Sequence, residues 1–309
     1  MRASRLTLAL AFAGAALASA LPGTAAAADD AWKAEFKTVR FGVLSGENEK
    51  DRRAAYGPFR DYLKRELGVD VKIYTASSYA GVTEALAANQ IEFAFLGSSA
   101  YAAAWESTGG KVEPLLSRLQ KDGSTGYYSI VVVKTDSPYK TIDDLKGKTL
   151  AFADPNSTSG YNVPYFKLLK EGYTPEKFFG RIPFSGSHET GVLGVVNGQY
   201  DAATTYRTNE LRGIPSNMVD KGMIPANSVR VIWTSPEITS GPFTARSNLP
   251  AGLKKRVSQL VFDVPKKDPV AFEKMAKGQK GWIRVDHKRY EWIVEMRKEI
   301  RKLRRKRDS

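Results

Sequence analysis

Short β-branched runs alternate with helix-spaced stretches along most of this chain, and that alternation confines it to an α/β architecture. Residues 38–44 are apolar and β-leaning, and 51–67 carry Tyr56, Phe59, Leu63 and Leu67 on one helical face. Residues 71–75 read as a strand, 79–88 as a helix opened by Ser77-Ser78, and 91–96 as a strand ending at Gly97-Ser98-Ser99 before an Ala-rich helix. A long β-branched run, 127–134, is closed by Asp136-Ser137-Pro138. A second alternating set follows: strands at 149–153, 181–184, 201–205 and 229–233, and helices at 159–170 and 189–196. Three more helices are expected at about 250–262, 268–278 and 287–307. Repeated βαβ units predict mostly parallel sheets with right-handed crossovers.

Two such sets joined by two extended crossings, near 130–137 and 232–240, predict two lobes. Residues 29–134 with 236–309 form the discontinuous first lobe, and 135–235 form the second. In open α/β sheets ligands sit beyond the carboxyl ends of strands, where helix N-termini point. Two lobes can turn those ends toward each other across a cleft.

The first residues set the compartment. Arg2 and Arg5 precede an Ala- and Leu-dominated apolar run over 6–21, and Ala25 to Ala28 supply small residues before Asp29-Asp30. That is the pattern of a secretory signal cleaved near Ala28, too short for a membrane span. The mature chain is expected to be an exported, soluble protein of residues 29–309, and with no cysteine it holds no disulfide. The formal net charge of +14 is uneven, because eight Lys or Arg stand against two acids between Arg297 and Ser309. The body is only mildly basic. The tail reads either as a solvated helix end or as an attraction to an acidic partner or anionic surface, and the sequence leaves both open.

The chemistry concentrates in Asp154-Pro155-Asn156-Ser157-Thr158-Ser159-Gly160, which follows a strand and opens a helix. Three consecutive hydroxyls, free first-turn N–H groups and the helix dipole suit a phosphate-like anion. Simple N-capping needs only one of the three hydroxyls and stays open as the alternative. Ser78-Tyr79, Ser98-Ser99 and Ser187-His188 start other helices, and Gly126-Tyr127-Tyr128 opens the first expected crossing. His188 stands at a helix start beside the expected anion, although a lone histidine also serves structure. Tyr127 reads equally as a strand aromatic in a core. His287, set among charges, is expected on the solvated surface. Walker, dinucleotide, H-E-x-x-H and G-x-S-x-G patterns are missing, so neither catalysis nor a cofactor is implied.

With these motifs the chain resembles the phosphonate/phosphite-binding periplasmic components of ABC importers, from about Val39 to Ile283. The resemblance is carried by Ser78-Tyr79-Ala80-Gly81, Gly126-Tyr127-Tyr128-Ser129, Asp154 to Gly160, and His188-Glu189-Thr190, with Asp136-Ser137-Pro138 and Ser235-Pro236-Glu237-Ile238 at the expected hinges. It implies an α/β, type II periplasmic-binding-protein fold with mostly parallel sheets. It also implies a monomer that holds a small phosphorus oxyanion, such as phosphite or methylphosphonate, and delivers it to a membrane permease. Ser157, Thr158, Ser159 and Tyr127 would bond the phosphonate oxygens, His188 would contact the same group, and Tyr79 would close the pocket. Members that take aminoethylphosphonate grip its ammonium with two carboxylates. The matching positions here fall near Thr208 and at Gly241, neither acidic, which disfavours a zwitterion. Tyr206 would fill the vacated space, and Glu210 or Glu237 stay open as nearby acids. The rival readings are an exported phosphoester or phosphonate hydrolase and a basic surface-binding protein, with no nucleic acid as partner.

Overall fold

The computed structural model describes residues 30–308, so the expected signal segment 1–28 lies outside the described residues. The chain opens with β1 (Thr38–Val43), the helix Glu49–Leu67, β2 (Asp70–Thr75), the helix Tyr79–Ala87, β3 (Phe93–Phe95) and the helix Ser98–Ser107. The sequence dictates where these elements start and stop. Asn48 caps Glu49–Leu67 by accepting from Asp51 N, and Gly68 closes it at φ 71°, a left-handed conformation cheap only for glycine. The apolar stripe of that helix buries Tyr56, Phe59, Leu63 and Leu67, as its spacing predicts. Phe59 meets a stack of rings, with Phe41 5.3 Å from Phe93 and Phe95 4.8 Å from Phe243 between centroids.

Then come β4 (Val112–Gln120), β5 (Gly126–Lys134) and β6 (Leu150–Ala151), and the helix Val163–Lys170, entered through a π-helical turn at Thr158–Asn162. The helix His188–Val196, β7 (Ala202–Arg207), the helix Ile214–Asp220 and β8 (Val229–Thr234) complete the second set. The chain ends with β9 (Ile238–Thr239), β10 (Pro242–Arg246), helices Ala251–Lys267 and Pro269–Met275, β11 (Gln279–Arg284) and the helix Glu291–Asp308.

Two sheets result, one ordered β11-β4-β10-β3-β1-β2 and the other β6-β7-β5-β8, with β9 pairing the start of β5. They are mixed, not mostly parallel. β1 runs parallel to β2 and β3, and β6 to β7, while β10, β4, β11, β5, β8 and β9 pair antiparallel. The short links, β4 to β5 and β9 to β10, cross between sheets instead of forming hairpins, and the antiparallel neighbours are strands brought together by those crossings: β4 with β10 and β11, and β5 with β7, β8 and β9.

β5 lies wholly in the second sheet, so the first passage between sheets falls at 121–125, earlier than the crossing expected near 130–137. The return falls at 235–241, and the two passages lie side by side: Ser240 N donates to Thr125 O at 3.2 Å, and Gly126 and Tyr127 pair with Thr239 and Ile238. Asp136-Ser137-Pro138 is not at a passage. It forms a turn beyond the far end of β5, where Ser137 N donates to Lys134 O and the Arg230 guanidinium donates to Ser137 O.

The last helix spans both halves. Ile293, Val294, Met296 and Ile300 join a core with Val131, Phe152 and Tyr161, while Tyr290 just before it packs with Tyr101 and Leu86. Arg301 pairs with Glu106 at 2.8 Å. His287 is half-buried rather than solvated, because Tyr101 and Trp105 arrive beside it from the helix Ser98–Ser107. Its Nδ1 lies 2.8 Å from the Tyr101 hydroxyl, and its ring stacks 4.3 Å from Trp105.

Candidate functional site

Ser157 begins the turn after β6. Its hydroxyl accepts from Gly160 N at 3.0 Å, so the capping alternative holds for this residue. It does not account for its neighbours. The Thr158 hydroxyl accepts from Ser99 N at 2.8 Å, reaching the helix Ser98–Ser107 that packs on the other sheet. The Tyr127 hydroxyl lies in hydrogen-bond reach of the Thr158 and Ser159 side chains. Because the first turn is π-helical, Ser157, Thr158 and Ser159 all remain at one wall, each buried.

His188 opens its helix behind Ser187, whose hydroxyl accepts from Thr190 N at 3.0 Å. That start points the imidazole at the same wall, with Nε2 3.2 Å from the Ser157 hydroxyl. Burial pulls the His188 pKa down to about 4, so the ring is neutral near pH 7. Its buried Nδ1 has no hydrogen-bond partner.

Tyr79 comes from the facing side. Ser78 caps its helix, the Tyr79 N–H donates to Asp154 Oδ2 at 3.2 Å, and its hydroxyl is in reach of the Ser157 side chain. Burial, then the Asp154 charge, pushes the phenol far above its ordinary value, so it is a hydrogen-bond donor at any physiological pH. Tyr206, at the end of β7, wedges edge-on against Tyr127 (5.7 Å) and His188 (5.1 Å).

All seven of these residues line one cavity of about 180 Å³. Pockets for drug-sized ligands occupy roughly 300–1,000 Å³, so this one suits a small guest. Ser98 and Ser99 do not line it. The Ser98 hydroxyl donates to Thr239 O and the Ser99 N–H to the Thr158 hydroxyl, while the buried Ser99 hydroxyl has no partner.

Set against known proteins, residues 41–290 match the family model described as "ABC transporter, phosphonate, periplasmic substrate-binding protein". The chain belongs to this phosphonate-binding family. Among its relatives is the phosphonates-binding periplasmic protein of Escherichia coli, 32% identical over 225 residues, or 72% of this chain; the match spans 64% of that protein, just under two thirds. Among solved structures, the binding-protein component of an ABC phosphonate transporter from Pseudomonas aeruginosa is 26% identical, with a TM-score of 0.75 over 84% of this chain and 85% of that one. PhnD1 from Prochlorococcus marinus, solved with methylphosphonate, has the same TM-score over 86% of this chain and 99% of its own, and at 20% identity it supports the fold alone. The two-lobed, α/β binding-protein architecture follows from these likenesses.

In this member of the family, the positions expected to grip an ammonium are closed to that role. A Cβ on Gly241 would sit 1.9 Å from Leu96 O and 2.6 Å from Gly97 Cα, so no side chain fits there. Thr208 lines the cavity but is neutral. Glu210 pairs with Arg207 at 2.7 Å on an exposed loop, and Glu237 packs outside against Gly126; neither lines the cavity.

The structure adds residues that sequence reading missed. Glu47 lines the cavity, with its carboxylate held by Lys221 at 2.6 Å. Arg52 and Arg118 line it too. Arg118 lies in β4, a strand hidden in the sequence by Pro114 and flanking charges. The one available signal was the spacing of Leu116, Arg118 and Gln120 on a single strand face.

Proposed function

We propose that this chain is the exported binding component of an ABC importer, holding a small un-aminated phosphorus oxyanion, phosphite or a short phosphonate, between its two sheet-based halves. The observation that carries the reading is the convergence of Tyr79, Tyr127, Ser157, Thr158, Ser159, His188 and Tyr206 on one small cavity. Hydroxyl and imidazole donors fixed before the ligand arrives strengthen each charge-assisted bond. The half built on the first sheet and the half built on the second close on the anion by rotation at the paired passages. The cargo then passes to a membrane permease, and the protein acts as a monomer. Residues 1–28 serve as its signal, cleaved near Ala28.

Binding, not turnover, is the chemistry the cavity supports. Ser157 and His188 resemble a nucleophile and its base, yet the His188 Nδ1 has no acid to orient it. A base depressed to about 4 is also poorly matched to neutral pH. A chromogenic phosphoester, with and without divalent cations, is expected to remain intact. Titration calorimetry with phosphite, methylphosphonate, phosphate and aminoethylphosphonate tests the ligand class, and aminoethylphosphonate binding tightest would refute it. The double variant Ser157→Ala with Thr158→Ala is expected to lose at least about tenfold in affinity, since each charged hydrogen bond contributes roughly 1.5–3 kcal/mol. Wild-type affinity in that variant would remove these hydroxyls from the site.

A further inference from the structure

The cavity has a second end. Arg118, Gln120, Glu47, Tyr206 and Thr208 line both it and an adjoining space of about 350 Å³, whereas Ser157, Thr158, Ser159, His188, Tyr79 and Tyr127 line only the first. Arg118 therefore stands with Tyr206 at the junction of the two spaces.

The charges at this end are unevenly satisfied. Glu47 is taken by Lys221 at 2.6 Å, and Asp220 by Arg212 and Lys277 at 2.8 and 3.0 Å. Arg52 spends its guanidinium on the carbonyls of Glu47, Val43 and Ala76. Among the described residues Arg118 has no acidic partner. Its guanidinium lies near the Tyr56 phenol, and its charge bears on the Tyr56, Tyr127 and Tyr206 phenols. It is half-buried and pairs across the sheet with Trp282, which also lines the cavity. A guanidinium offers five donors in a planar fork matched to a carboxylate, so most of this one's capacity is left over.

We propose that Arg118 recognises a second anionic group on the ligand, so that the preferred guest is a short phosphonate whose substituent ends in a carboxylate. This rests on the phosphonate reading of the clamp and narrows it. The clamp holds the phosphoryl oxygens, and the Arg118 fork, with the Gln120 amide beside it, receives the carboxylate at the far end. The site inverts the arrangement that grips an ammonium: neutral side chains replace acids, and a cation faces the tail.

Calorimetry on the full mature chain with phosphite, methylphosphonate and phosphonoacetate tests it. Wild type is expected to bind phosphonoacetate about ten- to a hundredfold more tightly than methylphosphonate, the range for a charge-assisted pair. In Arg118→Gln that ratio is expected to fall toward one. Arg118→Lys, which keeps charge without the fork, is expected to retain part of it and guards against a folding defect. Ser157→Ala is expected to weaken both ligands and keep the ratio. Equal affinities in wild type, or a ratio unchanged in Arg118→Gln because both ligands weaken alike, would overturn the proposal and leave the clamp standing. Failure of all three compounds to bind wild type overturns the phosphonate reading together with it.

Discussion

The Ser157 hydroxyl has two partners, Gly160 N and His188 Nε2, so one atom both ends a helix and lines the cavity. An anion brought against this pair acts first on the histidine. His188 is held neutral by burial with a pKa near 4, and a nearby negative charge raises it. The bound form then carries more protons than the free form between pH 4 and 7. Affinity is expected to rise as pH falls through that window. The His188 ring resonances, followed by NMR with and without methylphosphonate, are expected to titrate at least about one unit higher in the complex. Superimposable titrations would show that no ligand charge reaches the ring. Without ligand the sign reverses. The folded-state pKa lies below the unfolded value of 6.5, so the stability this group contributes is present above 6.5 and lost as pH falls toward 4.

Among the elements, the ring stack on the first sheet fixes one wall of the cleft. Phe243 of β10 contacts Phe41, Phe93 and Phe95 and is fully buried. Phe243→Ala is expected to cost about 3–5 kcal/mol, read as a lower denaturation midpoint; a loss under 1 kcal/mol would mean the stack repacks around the hole. Five of the seven expected cavity residues were legible because they sit at helix starts, where capping hydroxyls punctuate the sequence, whereas Tyr206 ends a strand. Tyr127 was legible only through the resemblance, since on a strand an inward ring reads as core. β4 escaped notice for a local reason: Pro114 interrupts its alternation, and the structure absorbs the proline with a register shift opposite Phe243 and Thr244. Arg118 went with it. His287 was misread because its sequence neighbours are charged while its spatial neighbours, Tyr101 and Trp105, come from nearly two hundred residues earlier. Chain order carries little information about such partners.

Across the whole molecule, Lys221 ties the two halves at the rim of the cleft. Its ammonium lies 2.6 Å from Glu47, 2.9 Å from Asp51 and 2.9 Å from Glu189, so it touches acids on both sides. Burial works against its charge, but hydrogen bonds to Glu47 and Glu189 win and lift its pKa above the ordinary value. Glu189 adds a second tie by accepting from Asn48 N at 2.8 Å. Lys221→Met is expected to speed ligand release by about three- to tenfold, as rim ion pairs contribute about 1 kcal/mol, and to flatten the salt dependence of release. Stopped-flow measurements at two ionic strengths check both, and an unchanged release rate would show that the rim does not resist opening.

The side-by-side passages at 121–125 and 235–241 carry one more consequence. Thr239 in the return passage accepts, through its hydroxyl, a hydrogen bond from the Trp292 indole at 3.2 Å, and Trp292 is 42% exposed. The molecule thus has a native fluorophore fastened to the paired passages at which closure is proposed, while a second, Trp282, lines the cavity itself. The chain has five tryptophans, so in variants that keep only one of this pair, with the other four replaced by phenylalanine, Trp292 emission is expected to follow rotation and Trp282 emission occupancy, timing closure and capture separately.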